Sequence, residues 1–135
     1  RAVREVLPPR GWWEDEGVVA CGIEQPRGHH GTTPLFRVQG AVVACLPPWL
    51  LVQPWNPASW RKACGLSGNA SKEQVDHWVR EERHPGWNDE YDEAMQWRDW
   101  QTCDQLMAEL WPQDACDAYC IALATRSLLH RSEAA

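Results

Sequence analysis

No stretch of the 135-residue chain comes near the roughly 20 consecutive apolar residues that a membrane-spanning helix needs. No charged segment followed by an apolar core reads as a secretory leader. The expectation is therefore a soluble, cytoplasmic protein without a membrane partner. The six cysteines, at positions 21, 45, 64, 103, 116 and 120, show neither CxxC pairs nor zinc-ribbon spacing, so free thiols are expected. Neither an internal repeat nor a low-complexity tract is present, and the length suits one domain spanning residues 1–135.

Positive charge is also scarce. The net charge of −6 argues at first against nucleic acid, whose binding is dominated by Lys and Arg. Its distribution is more informative: residues 1–80 hold nine Lys or Arg against seven Asp or Glu, whereas residues 81–135 hold four against twelve. The first part can thus present a basic face while the acid is concentrated behind it.

Taken in order, the chain opens with RAVREVL, which reads as the end of an amphipathic helix and so as a piece of a longer protein. Pro8 to Gly17, PPRGWWEDEG, reads as a turn-rich acidic connection. Val18 to Glu24, VVACGIE, is an apolar run bounded by Gly17 and Pro26, expected to be a buried parallel strand. It ends on Glu24. In open α/β sheets the carboxyl end of a strand is where catalytic groups gather, although an acid there equally marks where the strand meets solvent.

The loop Gln25 to Thr33 contains His29 and His30, which as adjacent loop residues read as solvated and not as metal ligands. Leu35 to Cys45 is an apolar helix, with Gly40 allowing a close neighbour, and Leu50 to Val52 opens a second strand. Strand, helix and strand form a βαβ unit. Asn56 to Gly65 is a short capped helix presenting Arg61 and Lys62. Ser71 then caps a helix with Lys72, Glu73 and Gln74 in its first turn and Val75, Trp78 and Val79 on its apolar side. An acidic segment at about 84–105 follows, read as solvated helix, with Met95, Trp97, Trp100, Leu106 and Met107 as its packing face. The tail after Leu129 is expected to fray.

The stretch that organises the chain is Trp111 to Thr125, WPQDACDAYCIALAT. Pro112 suits the first turn of a helix, and Cys116 and Cys120 fit its packed side as small hydrophobes. Asp114 and Asp117, three apart, leave one face beside the stripe of Ala118, Ile121, Ala122 and Thr125. Two carboxylates at the edge of a buried surface repel unless a proton or cation joins them, and Mg²⁺ prefers such oxygen ligands. The competing reading is that acids in a first turn simply complement the helix dipole.

The order of these pieces resembles the RuvC family of Holliday-junction resolvases, in a phage-like variant. The resemblance runs from about Val18 to Thr125. It rests on Ile23-Glu24-Gln25, Val38-Gln39-Gly40, Ser59-Trp60-Arg61-Lys62, Asn69-Ala70-Ser71-Lys72-Glu73-Gln74-Val75 and Asp114-Ala115-Cys116-Asp117-Ala118. It implies an α/β, RNase H-like fold in which the βαβ unit is followed by helices. It implies Glu24, Asp114 and Asp117 as three of four carboxylates holding two Mg²⁺ ions, with Mn²⁺ able to substitute. It also implies a homodimer that cleaves four-way DNA junctions in recombination and repair.

Lys72 would contact the phosphate near the scissile bond, and Arg61 and Lys62 the DNA backbone. The family's first carboxylate belongs to an earlier strand without a counterpart here, since Glu14, Asp15 and Glu16 fall in the turn before Val18. The fold is thus expected to be incomplete at its N-terminus, with one ligand missing. Two further readings stay open: a branched-DNA-binding module of the same fold without catalysis, and an RNase H-like nuclease with another substrate.

Overall fold

The structure, a computed structural model, describes residues 7–25 and 33–134. The chain is mixed α/β: two short parallel strands and seven described helices. Strand β1 (Ala20–Glu24) pairs with β2 (Leu51–Trp55), Ala20 lying opposite Leu51 and Glu24 opposite Trp55. Both strands begin and end close to their expected places, although β1 is half-buried where full burial was expected. Pro54 is tolerated inside β2 because β2 is an edge strand, free of a second partner among the described residues. The other edge of β1 likewise has no strand beside it among the described residues.

Helix α1 (Arg10–Asp15) corrects the turn expected at Pro8 to Gly17. Pro9 sits at its N-cap, and the Trp13 indole donates to the Pro8 carbonyl at 3.1 Å. Helix α2 (Thr33–Cys45) lies between the strands in sequence. A side chain added at Gly40 would meet nothing within 4 Å, so the close neighbour expected there is not supplied by the described part of the chain. The amphipathic helix read in the first residues, and His29 and His30, lie outside the described residues.

Helix α3 (Pro57–Ala63) begins where Asn56 accepts the Ser59 N–H at 2.9 Å. Helix α4 (Lys72–Arg83) carries a full capping box: the Gln74 N–H donates to the Ser71 hydroxyl, and the Ser71 N–H to the Gln74 side chain. Its Val75 and Val79, with Trp60 of α3 and Cys120, are the largest fully buried side chains and form the core with Cys116, Ile121 and Ala124. Burying large apolar side chains of this kind stabilises a fold by about 1.5–3 kcal/mol each.

The acidic segment folds as a hairpin of α5 (Trp87–Gln96) and α6 (Trp100–Ala108). Leu106 packs inward as expected, but Met95, Trp97, Trp100 and Met107 are exposed. The inner side is instead made by Trp87, Ala94, Cys103 and Leu106. The Trp87 indole donates to the Leu106 carbonyl at 3.2 Å, and the N–H groups of Gly86 and Asn88 donate to the Glu81 carboxylate. Arg80 lies over the Trp87 ring, 5.0 Å from its centre, tying the hairpin to α4, and Arg83 lies over Trp111 of the following connection at 3.5 Å.

The final helix, α7 (Gln113–Ala134), starts one residue after Pro112 and runs on past Leu129, where fraying was expected. Among the described residues no helix is long and apolar enough to cross a membrane, and every described cysteine is a free thiol.

Candidate active site

Strand β1 lies directly on α7. A Cβ placed on Gly22 would run into the Thr125 hydroxyl and come within 2.6 Å of Ile121 Cγ2, so only glycine lets the two backbones approach so closely. Residues two apart on a strand share a face, which gives Glu24 the same side of β1 as Gly22. The ladder continues beyond Glu24, where the Gln25 N–H donates to the Trp55 carbonyl at 2.7 Å and fixes the strand end. Trp55 in turn donates its indole N–H to Thr125 at 2.9 Å.

One turn toward the N-terminus of α7 from Ile121 stands Asp117, half-buried, with Oδ1 accepting the Gln113 side-chain amide at 2.9 Å. Asp114 is exposed in the first turn, whose N–H groups at Ala115 and Cys116 are satisfied by the Pro112 carbonyl. Its neighbour Cys116 has its thiol pushed up to about 11, chiefly by burial and then by the charges of Asp76 and Asp117. That thiol is therefore harder to ionise than an ordinary cysteine.

Glu24, Asp114 and Asp117 line one open cleft of about 650 Å³ between β1 and α7. Its walls are mainly apolar, and Arg126, one helical turn beyond Ala122, lines it too. The donor set is all carboxylate oxygen, the chemistry that suits Mg²⁺. Among the described residues, however, no three His, Cys, Asp or Glu side chains form a ready-made metal cluster. The three acids share the cleft without converging on one point.

The predicted cations do not line this cleft. Lys72 is exposed in the first turn of α4. Arg61 lies over the Trp60 ring, 4.9 Å from its centre, with Nε buried and unpaired, and Lys62 packs its stem near Gly68. Glu14, Asp15 and Glu16 do not line it either, whereas Trp13 of α1 does. Sequence reasoning missed Arg126 and Trp13. Arg126 was within reach, because it continues the Ala118 and Ala122 side of α7 at spacings of eight and four.

No family model, curated protein or solved structure matches the chain.

Proposed function

We propose that the chain belongs to a RuvC-type, RNase H-like endodeoxyribonuclease that hydrolyses phosphodiesters at four-way DNA junctions in recombination and repair, dependent on Mg²⁺ and acting in the cytoplasm. The observation that carries this reading is the shared cleft of Glu24, Asp114 and Asp117, drawn from the carboxyl end of a strand and the start of a helix. Mg²⁺, with Mn²⁺ as substitute, would be held by these three carboxylates only once they draw together from their separate places in the cleft, and when bound it would supply an activated water and charge stabilisation for the leaving oxygen.

The chain's own groups have separable tasks. Gln113 orients Asp117 through its amide. Gly22 seats β1 on α7 and so sets the reach of Glu24. Arg126 offers the cleft a cation for a phosphate oxygen. Lys72, Arg61 and Lys62, which do not line the cleft, are assigned to DNA phosphates flanking it, Lys72 on the side of the scissile bond and the other two farther along the backbone. The exposed apolar residues Leu35, Phe36 and Val38 on α2 support a homodimer through that helix.

The test is a synthetic four-way junction incubated with the natural full-length product and its D117N variant in Mg²⁺. Cleavage is expected to fall by orders of magnitude in D117N while junction binding persists. Undiminished cleavage by D117N contradicts the assignment. Salt-sensitive junction binding by the natural product without cleavage at any Mg²⁺ concentration would establish the binding-module reading instead. Cleavage of an RNA–DNA hybrid in preference to the junction would establish the other-substrate reading.

A further inference from the structure

The α5–α6 hairpin takes no part in the carboxylate cleft, and its outer surface is not that of an ordinary solvated helix. Trp97 is 72% exposed and Trp100 57%, two large aromatics three residues apart on the same turn. They flank the tip, and Trp100 shares one face of α6 with Asp104 and Met107 at spacings of four and seven. Met107 is also exposed, as is Met95 at the end of α5.

This surface is held in place. Arg98, between the tryptophans, has a φ of 55°, a left-handed conformation that a non-glycine residue enters only at a cost. The N–H groups of Trp97, Arg98 and Asp99 close back onto the carbonyls of Glu93, Met95 and Ala94, and Asp99 caps α6 through the N–H and hydroxyl of Thr102. The backbone of the aromatic tip is therefore already ordered, and its ordering does not add to the cost of binding.

Charge selects the partner. Residues 85–108 carry six acids, Asp89, Glu90, Asp92, Glu93, Asp99 and Asp104, against the single base Arg98. Such a surface repels nucleic-acid phosphates and anionic lipid.

We propose that the hairpin tip is a docking surface for a basic, amphipathic helical segment of a partner protein. The segment's apolar side covers Trp97, Trp100 and Met107, and its Lys and Arg residues meet the acids around them. Exposed Met and Trp adapt to such a helix, and acids at the rim steer it in. The inference is independent of the nuclease reading.

The experiment measures binding of a Leu/Lys amphipathic helical peptide by fluorescence anisotropy to the full chain, to W97A/W100A and to D92N/D104N. A Leu/Glu peptide of the same pattern is the control. Binding of the Leu/Lys peptide is expected to weaken about tenfold or more in W97A/W100A. It is expected to lose part of its salt dependence in D92N/D104N, and the Leu/Glu peptide is expected not to bind. Equal affinity for all three proteins, or equal capture of the Leu/Glu peptide, overturns the proposal. So does self-association of the peptide-free chain that W97A/W100A abolishes, which would make a second copy the occupant. Capture of phosphatidylserine vesicles through the two tryptophans overturns it in favour of a membrane.

Discussion

Trp55 donates its indole N–H to the Thr125 hydroxyl across 2.9 Å, joining the end of β2 to the middle of α7 over 70 residues of sequence. The same hydroxyl donates to the Ile121 carbonyl at 2.8 Å, so one side chain satisfies the helix and accepts from the sheet. Gly22 passes directly over it. The position of β1 on α7, and with it the spacing of Glu24 from Asp117, depends on this contact.

Changing Thr125→Val keeps the shape but leaves the Trp55 N–H without its partner, at a cost of roughly 1–3 kcal/mol. Changing Gly22→Ala forces a methyl group into Thr125 and Ile121 and should cost about as much by overpacking. Urea unfolding of both variants checks this. Unchanged midpoints would mean that β1 does not rest on α7 as described.

The capping box offers an independent check on α4. Ser71→Ala removes the acceptor for the Gln74 N–H and should destabilise the chain by about 1 kcal/mol. The prediction is read from the same unfolding measurement, with Ser71→Asp expected to restore most of the loss.

His84 stands between two carboxylates, Nδ1 at 2.9 Å from Glu109 and Nε2 at 3.1 Å from Glu90. The hydrogen bond to Glu109 is the main cause that raises its pKa above the ordinary value of 6.5, with the Glu109 charge and then Glu90 adding to it. Only the doubly protonated ring donates to both acids. Because the folded value is raised, the stabilising contribution is fully present below the unfolded pKa and is lost as pH rises through the folded one. Unfolding midpoints of the wild type should therefore decline relative to His84→Gln as pH rises from below 6.5. A difference between the two proteins that does not change with pH would contradict the pairing.

Metal binding gives a readout separate from activity. Mn²⁺ followed by electron paramagnetic resonance should bind the full-length product, and Glu24→Gln, Asp114→Asn and Asp117→Asn should each weaken it about tenfold or more. Asp89→Asn, on the hairpin, should leave it unchanged. Equal weakening by Asp89→Asn would mean that the ion is held by diffuse acidity and not by the cleft.

Much of this architecture is legible from short-range chemistry. The βαβ order, the Asn56 and Ser71 caps and the start of α7 all follow from local signals of cap residue, proline position and apolar period. Helix α1 was not, because Pro8, Pro9 and Gly11 punctuate it, and Pro9 serves as the residue before the helix instead of breaking it.

The hairpin shows a different limit. Periodicity finds a stripe of Met and Trp but cannot say whether that stripe or the one containing Trp87, Ala94 and Cys103 turns inward, and the second one does. The cleft itself joins Glu24 to residues far along the chain, a pairing that no spacing rule encodes. Only the resemblance linked them, and Arg126 and Trp13 came to light from the packing of β1 and α1 near α7.

The measurement that bears most directly on the central claim is single-turnover cleavage of a four-way junction by the natural full-length product, by E24Q, by D117N and by the double variant. If the strand acid and the helix acid serve one reaction, each single variant loses about 100-fold or more and the double variant is little worse than the poorer single, because groups acting as a unit are not additive. Wild-type cleavage by E24Q, or losses that simply multiply in the double variant, would contradict a single carboxylate site shared by β1 and α7.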